Sequence, residues 1–306
     1  MSPTGPGKET DGCQDCGDFL IDATGAYGPQ AFAVRWSNRR RASNEQIDRL
    51  IDQTWAQELA SAEKTGKMLF DGKLCRLIRW SSSQDGMSLT LGPVTFREFI
   101  GTNANHPELH YRHGPEVLAN PLGVSAAIVS ADGFILLGRR SDRVAVYPGR
   151  IHPIGGIMDY DDGQPAVPDP FEVMLREVGE ETGLPRDAVR GVLCLGMVRD
   201  KLTLQPELVF EVSAARDVPE ILASTADAAD AVEHSELLHV GNNPSAVVAF
   251  IERNRDEMTP LATATLLLHG LHHWGCGWFA TAKGYLSGAA GDQGGRAGLG
   301  PAEGIQ

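Results

Sequence analysis

Apolar positions along this chain switch between two periods, and the switches mark out its elements. Ile47, Leu50, Ile51, Trp55 and Leu59 recur at helical spacing as one buried stripe. Ser43, with Gln46 three positions on, has the capping-box spacing that opens such a helix. A short apolar run at 31–36 precedes it. Strand-like pieces follow at 68–80, with a turn at Asp71 and Gly72, and at 87–91. From Leu122 the pattern restarts. Residues 124–129 and 134–137 are β-rich runs on either side of Asp132 and Gly133, a hairpin signal. A loop with Pro148 and Gly149 leads to Ile151 and then to Gly155 and Gly156. Residues 171–182 have helical periodicity and stop at Gly183, ahead of Pro185. Strand candidates at 192–198 and 208–212, a helix at 247–253 and a last helix opened by Thr259 and Pro260 complete the series.

Strands and helices interleave without a strict βαβ rhythm. The expected fold class is therefore α/β (α+β), a mixed sheet with helices on both faces rather than a doubly wound parallel sheet. Residues 31–118 read as a small N-terminal α+β domain and 119–286 as the larger second domain. Residues 1–30, rich in Gly, Pro, Asp and Thr, and the Gly/Ala-rich 287–306 read as disordered tails.

Composition narrows the function classes. With 42% hydrophobic and 22% charged residues, the 306-residue chain resembles an ordinary globular protein. Its net charge of −13 repels polyphosphate backbones, so no nucleic-acid partner is expected. A small anionic substrate stays open, because a metal ion reverses the local field. The five cysteines, Cys13, Cys16, Cys75, Cys194 and Cys276, have no disulfide-framework spacing, which points to a reducing, cytoplasmic setting. No basic stretch followed by an apolar segment opens the chain, so no signal peptide is expected. The most apolar stretch, 261–280, is interrupted by His269, His272, His273 and three glycines; it reads as a buried helix and not as a membrane span. Packing within that helix also accounts for His272, His273 and Cys276 better than a nucleophile or metal site does.

The segment that carries chemistry runs from Arg176 to Leu184. On a helix, Glu177, Glu180 and Glu181 are i, i+3 and i+4, so three carboxylates leave one face and repel one another. Arg176, four residues before Glu180, offsets part of that repulsion. A hard divalent cation offsets far more, since Mg²⁺ and Mn²⁺ prefer oxygen ligands and bridge carboxylates to phosphates. Arg139 and Arg140 offer bidentate contacts to phosphate.

At these residues the sequence resembles the Nudix superfamily, whose box reads G-x5-E-x7-R-E-U-x-E-E-x-G-U. Arg176, Glu177, Val178, Glu180, Glu181, Gly183 and Leu184 match its second half completely. The first half departs from it. Counting from Gly156, the first box glutamate falls on Asp162, and thirteen residues rather than seven separate Asp162 from Arg176. Asp159 is a further acid after the double glycine. The resemblance implies an α/β/α sandwich and hydrolysis of a diphosphate. Glu177, Glu180 and Glu181 would hold Mg²⁺ or Mn²⁺, and Glu180, Glu181, Glu233 or Glu236 would serve catalysis. Arg139, Arg140, Gly155, Gly156, Asp159 and Arg176 would form the substrate site.

Outside the box, Gly101-Thr102-Asn103, the run from Leu118 to Val124, Arg139-Arg140-Ser141 and Pro148-Gly149 resemble the UDP-glucose diphosphatase branch, which also carries an N-terminal α+β extension. The implied partner is a small nucleoside diphosphate sugar, UDP-glucose foremost. Two alternatives stand beside it: hydrolysis of another small diphosphate such as ADP-ribose or a dinucleotide, and a non-catalytic ligand-sensing module.

Overall fold

In the computed structural model, which describes residues 13–65, 69–142, 144, 146–161, 167–225, 228 and 234–288, the chain opens with two strands, β1 (Gln14–Asp15) and β2 (Phe19–Tyr27). β3 (Phe32–Trp36), α1 (Glu45–Thr65), β4 (Lys73–Ser83), β5 (Gly86–Thr95), α2 (Phe96–Phe99) and α3 (Leu109–His113) follow. The rest comprises β6 (Gly123–Val129), β7 (Phe134–Arg140), β8 (Ile151–His152), β9 (Ile154–Ile157), α4 (Pro170–Thr182), β10 (Val189–Asp200), β11 (Pro206–Ala214), α5 (Val218–Ser224), β12 (His234–Gly241), α6 (Pro244–Asn254) and α7 (Pro260–Gly288).

The main sheet has nine strands in the order β1-β2-β10-β11-β6-β7-β12, with β8 on β7 and β9 on β6. β11 and β6 run parallel and the other pairs antiparallel, so the sheet is mixed, as expected. Alternation along β11 assigns its faces. Leu208, Phe210 and Val212 share a buried cluster with Met174 and Val178 of α4. Val209 instead packs with Leu261, Leu267 and Leu268 of α7. The result is an α/β/α sandwich.

The smaller sheet has the order β3-β5-β4. It shares a core with the main sheet, since Cys75, Leu77, Met87, Leu89 and Leu91 lie in the cluster that holds Val124, Ala126 and Met174. Backbone bonds join the two sheets. Cys75 N–H donates to Met158 O at 2.7 Å, Leu77 N–H to Asn120 O at 2.9 Å and Leu122 N–H to Cys75 O at 2.8 Å.

A split in the sheet builds the ground for the site. Gly133, at φ +83, turns β6 into β7. The two strands pair only at Ile128 with Leu136 and Val129 with Ile135. Beyond that they part, and β9 takes the vacated edge of β6, setting Gly156 opposite Val124 and Gly155 opposite Ser125.

Several sequence expectations need correction. Residues 1–30 are not all tail: β2 pairs with β10 from Cys194 with Tyr27 to Asp200 with Phe19, and Phe19, Ile21 and Tyr27 are buried. Asp22 hid the strand by breaking its apolar pattern. It is buried too, and Arg199 compensates it at 2.6 Å. Residues 1–12 lie outside the described part, as do 289–306; of the expected C-terminal tail, 287 and 288 belong to α7. Asn44, not Ser43, caps α1, its side-chain oxygen accepting from Gln46 N–H and Ile47 N–H at 3.0 Å each. The strand expected from residue 68 begins at Lys73, and Met68 lies outside the described residues. α7 is broken at Gly275, where φ is +79. No helix among the described residues is long and apolar enough to cross a membrane.

Candidate active site

α4 is fixed at both ends. The Asp169 carboxylate accepts from Phe171 N–H at 2.9 Å, Pro170 occupies the first turn, and Gly183 closes the helix at φ +68. Phe171, Met174 and Val178 bury the inner face, and Glu181 lies on its edge, 3% exposed. This rotation turns Glu177 and Glu181 toward β9, while Glu180 lies beside Arg176.

Each box carboxylate has its own setting. The Glu181 carboxylate accepts from Gly155 N–H at 3.3 Å and bonds His234 Nε2 through its other oxygen. Glu177 lies against Gly156, where an added Cβ would stand 2.6–2.9 Å from its carboxylate atoms. Burial raises the Glu177 carboxyl to about 7 from an ordinary 4.5; Glu181 and Glu180 add to the rise and Arg176 opposes it. Glu180 is the most exposed of the three, its side chain 38% accessible. Arg176 commits its guanidinium to carboxylates, with Asp159 at 3.2 Å, Glu177 at 2.9 Å and Glu180 at 3.8 Å. That tie brings Asp159 to the helix.

The structure separates the arginine pair. Neighbouring strand residues leave opposite faces. Arg139 bonds Gly149 O at 3.1 Å and pairs with Glu257 at 2.9 Å and Glu236 at 3.6 Å. Arg140 bonds Val146 O at 3.0 Å and lines a cavity. A register shift in β12 between His234 and Glu236 sends Glu236 to Arg139, so β12 presents a histidine to the helix carboxylates and not the acid expected there. Glu233 and Asp162 lie outside the described residues.

His234 escaped the sequence reading, which weighed only the acids around it. Its ring fits because position 138 is glycine; a Cβ there would come within 2.2 Å of Nδ1. The side chain is nearly buried, at 6% accessible. The signal in the sequence was Gly138, a glycine inside a strand.

The cavity lined by Arg140 has a volume of about 640 Å³ and lies at the junction of the two sheets. Phe70, Leu74, Phe96 and Phe99 form one wall, while Arg140, His152, Asp200 and Glu207 supply the polar one. The backbone of Gly155 and Gly156 is common to both features: it walls the cavity and touches the box carboxylates. Burial, with Arg140 and His234 nearby, pushes the His152 imidazole well below its ordinary range. Burial likewise raises the Glu207 carboxyl to about 8. A second cavity, of about 840 Å³, lies against α7 and has no carboxylate in its described lining, so it does not compete for this chemistry.

No family model matches the chain. It is similar to the uridine diphosphate glucose pyrophosphatase of Homo sapiens, 31% identical over 50% of this chain and 58% of that one. The Mus musculus protein of the same name is 34% identical over 38% of this chain and 45% of its own. Nudix hydrolase 9 of Arabidopsis thaliana is 24% identical over 72% of this chain and 81% of its own. The chain thus spans about half the length of the two pyrophosphatases. Relatives and box motif agree: the chain resembles Nudix hydrolases, the UDP-glucose pyrophosphatases among them.

Proposed function

We propose that this chain is a divalent-metal-dependent pyrophosphohydrolase acting on a nucleoside diphosphate sugar, UDP-glucose first, to give a nucleoside monophosphate and a sugar 1-phosphate. The carboxylate trio on α4 carries the reading. Glu177 and Glu180 share the Arg176 guanidinium, Glu181 is held beside them by Gly155 N–H and His234, and burial raises the Glu177 carboxyl to about 7. An all-oxygen donor set with surplus negative charge suits Mg²⁺ or Mn²⁺. Glu177, Glu180 and Glu181 would hold the ion, which when bound neutralises charge on phosphoryl oxygens and acidifies water.

The chain's own groups supply the rest. Arg176 anchors Glu177 and Asp159, and His234 with Gly155 N–H anchors Glu181. Glu180, the most accessible of the trio, takes the proton of the attacking water. Arg140 contacts the diphosphate from the cavity wall. Phe70, Phe96 and Phe99 give the nucleotide an apolar, water-excluding surface.

The test is a panel of UDP-glucose, ADP-ribose and a dinucleoside diphosphate, incubated with Mg²⁺ or Mn²⁺ and resolved by product. Equal release of UMP and glucose 1-phosphate is expected. Cleavage of ADP-ribose alone would move the reading to another diphosphate. No product from any compound with either metal would end it.

A further inference from the structure

On the sheet face opposite α4, three side chains converge that the proposed chemistry does not use. His269 and His273 are i and i+4 on α7, before its break at Gly275, with ring centroids 4.5 Å apart. Between them stands Glu211 of β11, whose side chain shares the α7 face with Val209. One oxygen, Oε2, lies 2.8 Å from His269 Nδ1 and 2.7 Å from His273 Nε2. His269 and Glu211 are buried, while His273 is 37% accessible at its side chain.

His269 Nε2 lies 2.8 Å from Asn242 Oδ1, so the ring is held from both sides. Both histidines aim a ring nitrogen at the same oxygen of Glu211, which places three potential ligand atoms around one point. A divalent ion held by the three would also offset the burial of Glu211. Two imidazole nitrogens and one carboxylate oxygen form a borderline donor set that favours Zn²⁺ over Mg²⁺. The three atoms lie within 4.8 Å of one another, and Asn242 is the outer partner that orients a metal-bound histidine. The exposed flank of His273 leaves a solvent path for a fourth ligand.

We propose that Glu211, His269 and His273 form a Zn²⁺ site that fastens α7 to β11, separate from the carboxylate site on α4. The full chain, freed of any affinity tag and stripped with chelator, would be titrated with Zn²⁺ against an indicator and with Co²⁺ by absorption. One ion per chain is expected to show the visible bands of four-coordinate Co²⁺ with no thiolate charge-transfer band, apart from any six-coordinate ion on the α4 carboxylates. His273→Ala and Glu211→Gln should each lower affinity by about tenfold or more, and Asn242→Ala by ~10–100-fold. Glu180→Gln should leave this binding unchanged.

Because His273 is accessible and glutamine keeps the size of glutamate, both variants are expected to fold. Thermal melts supply a second reading: Zn²⁺ should raise the midpoint of the wild type and not that of Glu211→Gln. Absence of stoichiometric binding would overturn the proposal. So would binding that survives both His273→Ala and Glu211→Gln, or a thiolate band placing the ion on Cys13 and Cys16.

Discussion

Gly155 and Gly156 are adjacent, yet the structure gives them different jobs, and alanine at each should fail differently. An added Cβ at Gly156 would lie 2.6 Å from a Glu177 carboxylate oxygen and 2.7 Å from its carboxyl carbon. Ordinary contact begins near ~3.5 Å, so the carboxylate must retreat by about 1 Å. A side-chain end can make that move, and global stability should change by less than ~1 kcal/mol. For a group that positions the reaction, a displacement of about 1 Å costs on the order of 100-fold in rate.

At Gly155 the same Cβ would meet Val124 O at 2.1 Å and Ser125 Cα at 2.6 Å. Backbone in a paired strand cannot give way. Gly155→Ala should therefore cost about 1–3 kcal/mol of stability, a fall in melting midpoint of roughly 2–4 °C per kcal/mol. The assay is Mg²⁺-dependent diphosphate hydrolysis beside a thermal melt for both variants. A Gly156→Ala enzyme with wild-type turnover, or one as destabilised as Gly155→Ala, would refute this division of roles.

Four further outcomes follow from the site. Glu177 holds a proton up to about pH 7 that a bound cation must displace, so metal affinity should rise with pH by up to ~tenfold per unit below 7 and level off above it; calorimetric Mg²⁺ titrations at several pH values check this. The same raised carboxyl makes the metal-free protein lose stability as pH climbs from 4.5 through about 7, the sign opposite to a salt-bridged acid. Arg140→Ala should raise KM by roughly ten- to a hundredfold, the loss of one charge-assisted contact, while Arg139→Ala, whose guanidinium faces Glu236 and Glu257, leaves KM near wild type. His234→Ala removes a buried partner of Glu181 and should weaken metal-dependent turnover by ~10–100-fold with the fold kept, as circular dichroism would report.

What the sequence disclosed was mostly local. Glu177, Glu180 and Glu181 needed only helical spacing to share a face, and Gly183 needed only to follow the last turn. The mixed sheet came from hairpin and period signals that act over a few residues. The parts that stayed hidden depend on distant partners. β2 became legible only through β10, far along the chain, which also supplies Arg199 to Asp22. His234 meets Glu181 because β12 shifts register, and no local pattern encodes that shift. Arg139 and Arg140 were read as one clamp from their adjacency, and the strand's alternation divides them. His273 was read as helix packing because Glu211, the group that gives it another meaning, comes from a strand 62 positions away.

The central claim is that the α4 carboxylates hold a metal ion for hydrolysis, and Glu180→Gln tests it most directly. That side chain is 38% accessible and the substitution keeps its size, so the fold should be unaffected. Release of UMP and glucose 1-phosphate from UDP-glucose would be followed across a Mg²⁺ series for wild type and variant. The account expects metal-dependent turnover in the wild type and a collapse of turnover in the variant at every Mg²⁺ concentration. A variant that hydrolyses UDP-glucose at the wild-type rate with the same metal dependence would contradict it.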